Sequence, residues 1–212
     1  MIIGAGNIRI KVCGNKSPVN IAAVADLNPD MLGFIFYDQS KRCADPATIS
    51  PVMKAMKNVH KTGVFINAPQ SEIMDVVHQL GLDSVQLHGD EDPCFCAELQ
   101  EKTTVIKTLD GTGKNLPYLV NLFANTVDYY LIDNKGKNYG GTGVKFEHEI
   151  LKNINFPHPF IVAGGINPGD VELVKRLKNI PGFFGIDINS GFETEPGIKN
   201  IESIKTFIQQ LQ

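Results

Sequence analysis

Five polar residues stand at or near the ends of otherwise apolar runs. Cys13 closes "IRIKVC" (8–13), His88 closes "DSVQLH" (83–88) and Asp133 closes "YYLID" (129–133); Lys107 lies late in "TVIKTL" (104–109) and Asp187 late in "FFGIDI" (183–188). Arg42 and Asn67 lie just beyond two more runs, "MLGFIF" (31–36) and "KTGVFI" (61–66). Thiols, imidazoles and carboxyls are the side chains that give and take protons in catalysis. A guanidinium can hold a carboxylate through two hydrogen bonds at once. Each residue has a plainer reading. A buried cysteine is usually a small hydrophobe, and a lone acid after a strand can anchor a loop or cap a helix. Several together at equivalent places fit a polar pocket better.

Glycine-rich turns supply a second kind of chemistry. "AGGINPGD" (163–170) follows the run "FIVAGG" (160–165) and is read as opening a helix near Pro168; "NSG" (189–191) follows the last run. Glycine lets backbone N–H groups come close to an anion, which makes Gly164, Gly165 and Asn167, with Asn189, Ser190 and Gly191, candidates for a phosphate site. "YGGTG" (139–143) suits a loop that closes over a substrate. Plain tight turns are the alternative for each.

These residues need elements to position them. Eight apolar runs of strand length recur, most of them apolar on both faces, as in strands buried within a parallel sheet. Helical spacing appears between them: a segment opened by Pro18, one opened by Asp45-Pro46, then Ser71–Leu80, Asp92–Glu101, Leu116–Phe123, Pro168–Leu177 and Ile201–Leu211, with a short piece at Phe146–Leu151. Asp45 is an acidic cap followed by proline at the first helical position. Eight strand–helix units of about 25 residues predict an α/β fold with right-handed crossovers, closed as a single-domain (β/α)8 TIM barrel spanning 1–212, with 1–7 as an extension before the first strand. An open doubly wound sheet is the alternative. In such barrels the chemistry gathers at the C-terminal ends of the strands, and the loops after strands seven and eight take phosphate.

Composition narrows the field. The 212 residues are 42% hydrophobic with a net charge of −3. No basic stripe points to nucleic acid, and no run approaches the ~20 apolar residues of a membrane span. The first residues lack the pattern of a signal peptide. Cys13, Cys43, Cys94 and Cys96 show neither zinc-ribbon nor disulfide-framework spacing, and Gly4-Ala-Gly6 lacks the third glycine and preceding strand of a dinucleotide loop. The expectation is a reduced, cytoplasmic protein of undetermined oligomeric state.

Read in order, "KVCG" (11–14), "GFIFYDQSKR" (33–42), "GVFIN" (63–67), "VQLHGDE" (85–91), "LID" (131–133), "YGGTG" (139–143), "AGGINP" (163–168) and "GIDINSGFETEPGIKN" (185–200) resemble the phosphoribosylanthranilate isomerases. The resemblance implies a (β/α)8 barrel of tryptophan biosynthesis that turns N-(5-phosphoribosyl)anthranilate into 1-(2-carboxyphenylamino)-1-deoxyribulose 5-phosphate by an Amadori rearrangement, without cofactor or metal. It implies Cys13 as general base and Asp133 as general acid. It further implies that Arg42 holds the anthranilate carboxylate, that Asp187 lies beside the substrate amine, that His88 belongs to the substrate site, and that the glycine turns cradle phosphate. Two positions depart from the family: Cys43 follows Arg42 where an aromatic is usual, and Asn189-Ser190 replaces a serine pair.

The chemistry explains why such a pair is needed. An acid must protonate the ring oxygen of an aminoaldose, and a base must remove the proton from C2. The thiol must therefore reach its thiolate, from an ordinary pKa of about 8.5. The carboxyl must keep its proton, from an ordinary pKa of about 3.9. Other phosphosugar barrels are rivals. An epimerase calls for several metal-binding His and Asp residues, and only His88 qualifies; an indoleglycerol-phosphate synthase calls for strand-end lysines, and Lys11 lies inside the first strand. A barrel that binds a phosphorylated ligand without acting on it is the rival from another class.

Overall fold

The computed structural model describes residues 8–133 and 148–211. Eight parallel strands close into a barrel in chain order: β1 (Arg9–Val12), β2 (Met31–Phe36), β3 (His60–Phe65), β4 (Ser84–Leu87), β5 (Thr104–Asp110), β6 (Tyr129–Asp133), β7 (Phe160–Val162) and β8 (Phe183–Ile188). Closure is direct, since β1 pairs with β8 through Arg9↔Gly185 to Val12↔Ile188. Around it run α1 (Pro18–Ala25), α2 (Pro46–Ala55), α3 (Gln70–Leu80), α4 (Pro93–Gln100), α5 (Leu116–Leu122), α6 (Val171–Leu177) and α7 (Ile201–Leu211), with a 3-10 turn at His148–Asn153 before β7. The predicted barrel is the observed one, and the open sheet is excluded.

Alternation along the strands divides the side chains into two sets. Ile10, Val12, Leu32, Phe34, Val85, Leu87, Val105, Leu109, Tyr130 and Ile132 form one core with helix residues such as Ile21, Ile49, Ile73 and Leu99. A smaller cluster of Met31, Ile106, Leu131, Ile161 and Ala163 fills the lumen. The lumen is more polar than runs apolar on both faces suggest. Buried Thr62 and Ser84 share a 2.9 Å hydrogen bond, and buried Gln86 reaches Thr108 at 3.3 Å.

Local sequence chemistry sets several helix starts. Asp45 accepts hydrogen bonds from the backbone N–H groups of Ala47 and Thr48, with Pro46 behind it, and Asp92 caps α4 the same way through Phe95 N–H. Such caps contribute about 1 kcal/mol each. The helix expected from Pro168 begins three residues later, at Val171. Asp170 accepts from Asn167 N–H and its own N–H donates to the Asn167 carbonyl, so 167–170 is a closed turn. Two short strands that the periodicity did not suggest, β9 (Glu193–Glu195) and β10 (Ile198–Lys199), pair antiparallel after β8. "YGGTG" and the start of the Phe146–Leu151 helix lie outside the described residues.

Candidate active site

A cavity of about 340 Å³ opens at the C-terminal ends of the strands, a volume suited to a small organic ligand. Its walls carry Cys13, Arg42, His88, Asp133, Gly164, Gly165, Asp187, Asn189 and Ser190 together with Ile35, Val64, Gln86 and Ala163. The residues picked out at and just beyond the strand ends therefore converge, with two exceptions absent from the walls: Asn67, whose backbone N–H donates to Glu91 at 2.8 Å, and Lys107. Lys107 shares the outward face of β5 with Val105 and Leu109, and its ammonium is bound by Glu91 at 2.7 Å and the Gly89 carbonyl at 2.9 Å.

Cys13 follows β1, its thiol almost wholly buried. Burial pushes its pKa above the usual thiol value, and the Lys11 ammonium pulls against that. Lys11 lies two residues back on the same inner face and is 1% exposed. Its Nζ donates to Asp187 Oδ2 at 2.8 Å. Burial opposes the ammonium form, yet attraction to Asp187 and Cys13 wins and holds Lys11 protonated. Burial also drives the Asp187 carboxyl upward. Its Oδ1 is buried with no hydrogen-bond partner among the described residues.

Asp133 ends β6 across the cavity mouth. His88 Nε2 stands 3.6 Å from Asp133 Oδ2, while His88 Nδ1 is 3.1 Å from both Gln86 Nε2 and Thr108 Oγ1. Nε2 is the ring nitrogen that faces the carboxylate.

Arg42 reaches the cavity from the turn after β2. Its Nε and Nη2 grip Glu193, with Nη2 to Oε2 at 2.7 Å. Nη1 makes no hydrogen bond among the described residues. Glu193 is itself held by Lys199 Nζ at 2.8 Å and by Gly197 N–H at 3.0 Å. Cys43 is not in the walls; its sulfur points toward Asp38 at 3.9 Å.

On the other side, Gly164 and Gly165 both have left-handed backbones, φ 80° and 75°, which glycine adopts without steric cost. Ser190 and Asn189 face them across the cavity wall. Asn167 and Gly191 lie behind it. The Asn167 amide donates to the Gly165 carbonyl at 3.2 Å, and a side chain on Gly191 would meet the Ile166 carbonyl at 2.5 Å. These two residues pack the loops together. With α6 only seven residues long and starting after the turn, what borders the cavity at Gly164 and Gly165 is turn backbone rather than a helix end.

Sequence reasoning missed Lys11, Gln86, Glu193 and Lys199. The Pro196-Gly197 pair was a turn signal that could have exposed the hairpin carrying the last two. Parity with Cys13 could have exposed Lys11.

Comparison with known proteins agrees with this geometry. A family model described as N-(5'phosphoribosyl)anthranilate (PRA) isomerase matches residues 10–210. The N-(5'-phosphoribosyl)anthranilate isomerase of Parabacteroides distasonis is 39% identical over 205 residues, 95% of this chain and 92% of that one. The phosphoribosyl anthranilate isomerase of Thermotoga maritima superposes with a TM-score of 0.86 at 29% identity, covering 96% of this chain and 98% of that one. A crystal structure of a phosphoribosyl anthranilate isomerase with reduced 1-(o-carboxyphenylamino)-1-deoxyribulose 5-phosphate matches at TM-score 0.80 and 26% identity, again covering 96% and 98%. The match runs through every strand that furnishes a cavity wall, and the chain belongs to the N-(5'-phosphoribosyl)anthranilate isomerase family.

Proposed function

We propose that this barrel carries out its family's isomerisation as an aldose–ketose rearrangement, with Asp133 as general acid and Cys13 as general base. The observation that carries the reading is convergence. A thiol from β1 and a carboxyl from β6 face one cavity that has a guanidinium on one side and a glycine-lined cradle on the other. An anthranilate carboxylate and a ribose phosphate sit at opposite ends of one substrate, so Arg42 Nη1 takes the first. Gly164, Gly165, Asn189 and Ser190 take the second, with Asn167 and Gly191 supporting them. Asp187 Oδ1, buried and without a partner among the described residues, accepts from the substrate amine. His88 keeps Asp133 oriented.

Asp133 gives its proton to the ring oxygen. The C1–O bond breaks, and the nitrogen lone pair forms the C1=N bond of an iminium. The Cys13 thiolate then takes the proton from C2. The C–H electron pair becomes C1=C2, and the C1=N π pair returns to nitrogen as an enolamine. Loss of the O2 proton and protonation at C1 give the ketone. C2 is oxidised and C1 reduced within one molecule, so no cofactor is called for. Each proton-transfer group contributes about 10²–10⁴-fold.

Other attributes belong to the same reading. All four cysteines are free, which supports a reducing, cytoplasmic setting. Among the described residues no helix is long and apolar enough to cross a membrane.

Freshly prepared phosphoribosylanthranilate is fluorescent, and the protein should quench its emission by converting it. Cys13→Ala and Asp133→Asn should each slow that loss by about 10²-fold or more while still binding a reduced product analogue. Near-normal turnover in either variant removes that residue from its role, and no conversion by the unaltered protein removes the function.

A further inference from the structure

The assignment of Cys13 as a base, on which this inference rests, leaves a physical difficulty. A thiol that is 4% exposed lacks the water that would stabilise its charged form. Burial alone raises such a group away from the thiolate. Something inside the barrel has to favour the negative sulfur.

We propose that Lys11 is a positioning residue for the base: its ammonium lies on the lumen floor between the Cys13 sulfur and the Asp187 carboxylate and holds the negative charge that the sulfur carries before it takes the C2 proton. Lys11 and Cys13 are two residues apart on β1 and face the same way. Lys11 is also the register partner of Asp187 on β8. The neighbouring strand makes room, because a methyl group built on Gly33 would lie 2.7 Å from Cys13 Sγ and 3.1 Å from Lys11 Nζ. Sulfur and ammonium therefore crowd the one place on β2 that has no side chain.

The buried ion pair has a loose end. Asp187 spends Oδ2 on Lys11, and its Oδ1 has no partner among the described residues. A pair built only for stability would satisfy both oxygens, as buried ion pairs need additional hydrogen bonds to offset desolvation. Here one ammonium serves two anions, the carboxylate beside it and the thiolate above it. The ammonium keeps its proton throughout, since both neighbours favour the charged form. When the thiolate takes the C2 proton, Lys11 is left with Asp187 alone, and the charge on the floor is still balanced.

The other charged groups around the sulfur are few. Lys199 approaches from β10 and also favours the thiolate, and Asp187 from β8 opposes it. Arg42, His88 and Asp133 face the thiol from the cavity walls. Removing Lys11 or Asp187 should therefore move the thiol in opposite directions.

The test reads the thiol without substrate. Thiolate absorbance in the far ultraviolet is titrated for the full chain and its variants, each against its Cys13→Ala counterpart, so that the difference isolates this one sulfur. Lys11→Met should raise the midpoint by about one pH unit or more, a tenfold loss of thiolate near neutrality, and should move the thiol limb of the kcat/KM profile the same way. Asp187→Asn should lower it. An unmoved midpoint in Lys11→Met, or shifts of the same sign in both, overturns the proposal. Should Lys11→Met fail to fold because Asp187 is left unpaired, Lys11→Met/Asp187→Asn removes both charges. Its midpoint must lie above that of Asp187→Asn, and equal midpoints overturn the proposal. If the thiol titrates in this way while Cys13→Ala keeps near-normal turnover, the base assignment fails and only the charge pairing between Lys11 and the sulfur survives.

Discussion

Lys11–Asp187 and Lys107–Glu91, buried lysine–carboxylate pairs rooted in barrel strands, look alike in sequence and do opposite work. Lys107 on β5 meets Glu91, and Lys11 on β1 meets Asp187, with N–O distances of 2.7 and 2.8 Å. Around Lys107 every bond is closed. The ammonium also binds the Gly89 carbonyl, and Glu91 Oε1 accepts from Asn67 N–H at 2.8 Å and Gly89 N–H at 3.3 Å. The result ties the loop after β3 to the loop after β4. Around Lys11 one carboxylate oxygen is left open, and a thiol lies within the field of the ammonium. A saturated pair serves as construction, whereas an unsaturated one leaves electrostatic capacity for a ligand or a reacting atom.

Like-for-like substitutions separate the two. The largest effect is expected from Glu91→Gln, which strands a buried ammonium and weakens two backbone bonds. Urea unfolding should show a loss of about 3–5 kcal/mol, with turnover per folded molecule unchanged. Turnover falling as steeply as stability would erase the distinction. Asp187→Asn also strips a carboxylate from a buried lysine, but the neighbouring thiol can ionise in its place. Stability should fall by less than in Glu91→Gln, while kcat drops by about tenfold or more through the lost contact to the substrate amine. Arg42–Glu193, whose guanidinium is 24% exposed, stands between the two cases. Arg42→Lys loses the planar fork and should raise KM by about tenfold with kcat nearly kept; an unchanged KM would take Arg42 out of the site.

The finest discrimination is in the pH profile. Under the proposed mechanism, productive enzyme has Cys13 ionised and Asp133 protonated. Burial places the thiol above its ordinary value, whereas carboxyls ordinarily titrate near pH ~4. The thiolate fraction falls as pH drops and the protonated acid is lost as pH rises, so kcat/KM should be bell-shaped. Once the thiol is the weaker acid of the two, the alkaline limb reports Cys13 and the acidic limb the carboxyl. Glu91→Gln should leave both limbs in place, and Asp187→Asn should draw the alkaline limb down. A limb that moves in Glu91→Gln would join the two regions again.

The strands were legible because their outward faces must cover helices, and Val, Ile, Leu and Phe there leave long apolar runs. Ends were less legible. "FIVAGG" reads on past Val162 because Ala163 fills the lumen and the glycines carry no signal against a strand. Pro168 looked like a helix start, but the Asn167–Asp170 turn already satisfies the groups a first turn would use. Cys13, His88, Asp133 and Asp187 could be picked out because a polar group interrupts or ends an apolar strand. Lys107 met the same criterion and faces outward, since position along a strand does not give its side. Glu193 was hidden because its partner Arg42 is brought to it by the closed barrel, and Lys199 because it meets Asn189 and Glu193 through a hairpin that the periodicity did not suggest.

That closure has a consequence for how the protein comes into being. The Lys11–Asp187 bond spans 176 positions and Arg42–Glu193 spans 151. Chains are made from the N-terminus at about 5–20 residues per second, so the thiol emerges from the ribosome many seconds before the carboxylate that completes its floor. Until residue 187 is available Lys11 has no acid, and until residue 193 Arg42 has no clamp. A nascent chain can therefore fold several strand–helix units and still offer its ligand nothing. Binding capacity should appear abruptly, with the final hairpin, and not grow in proportion to length.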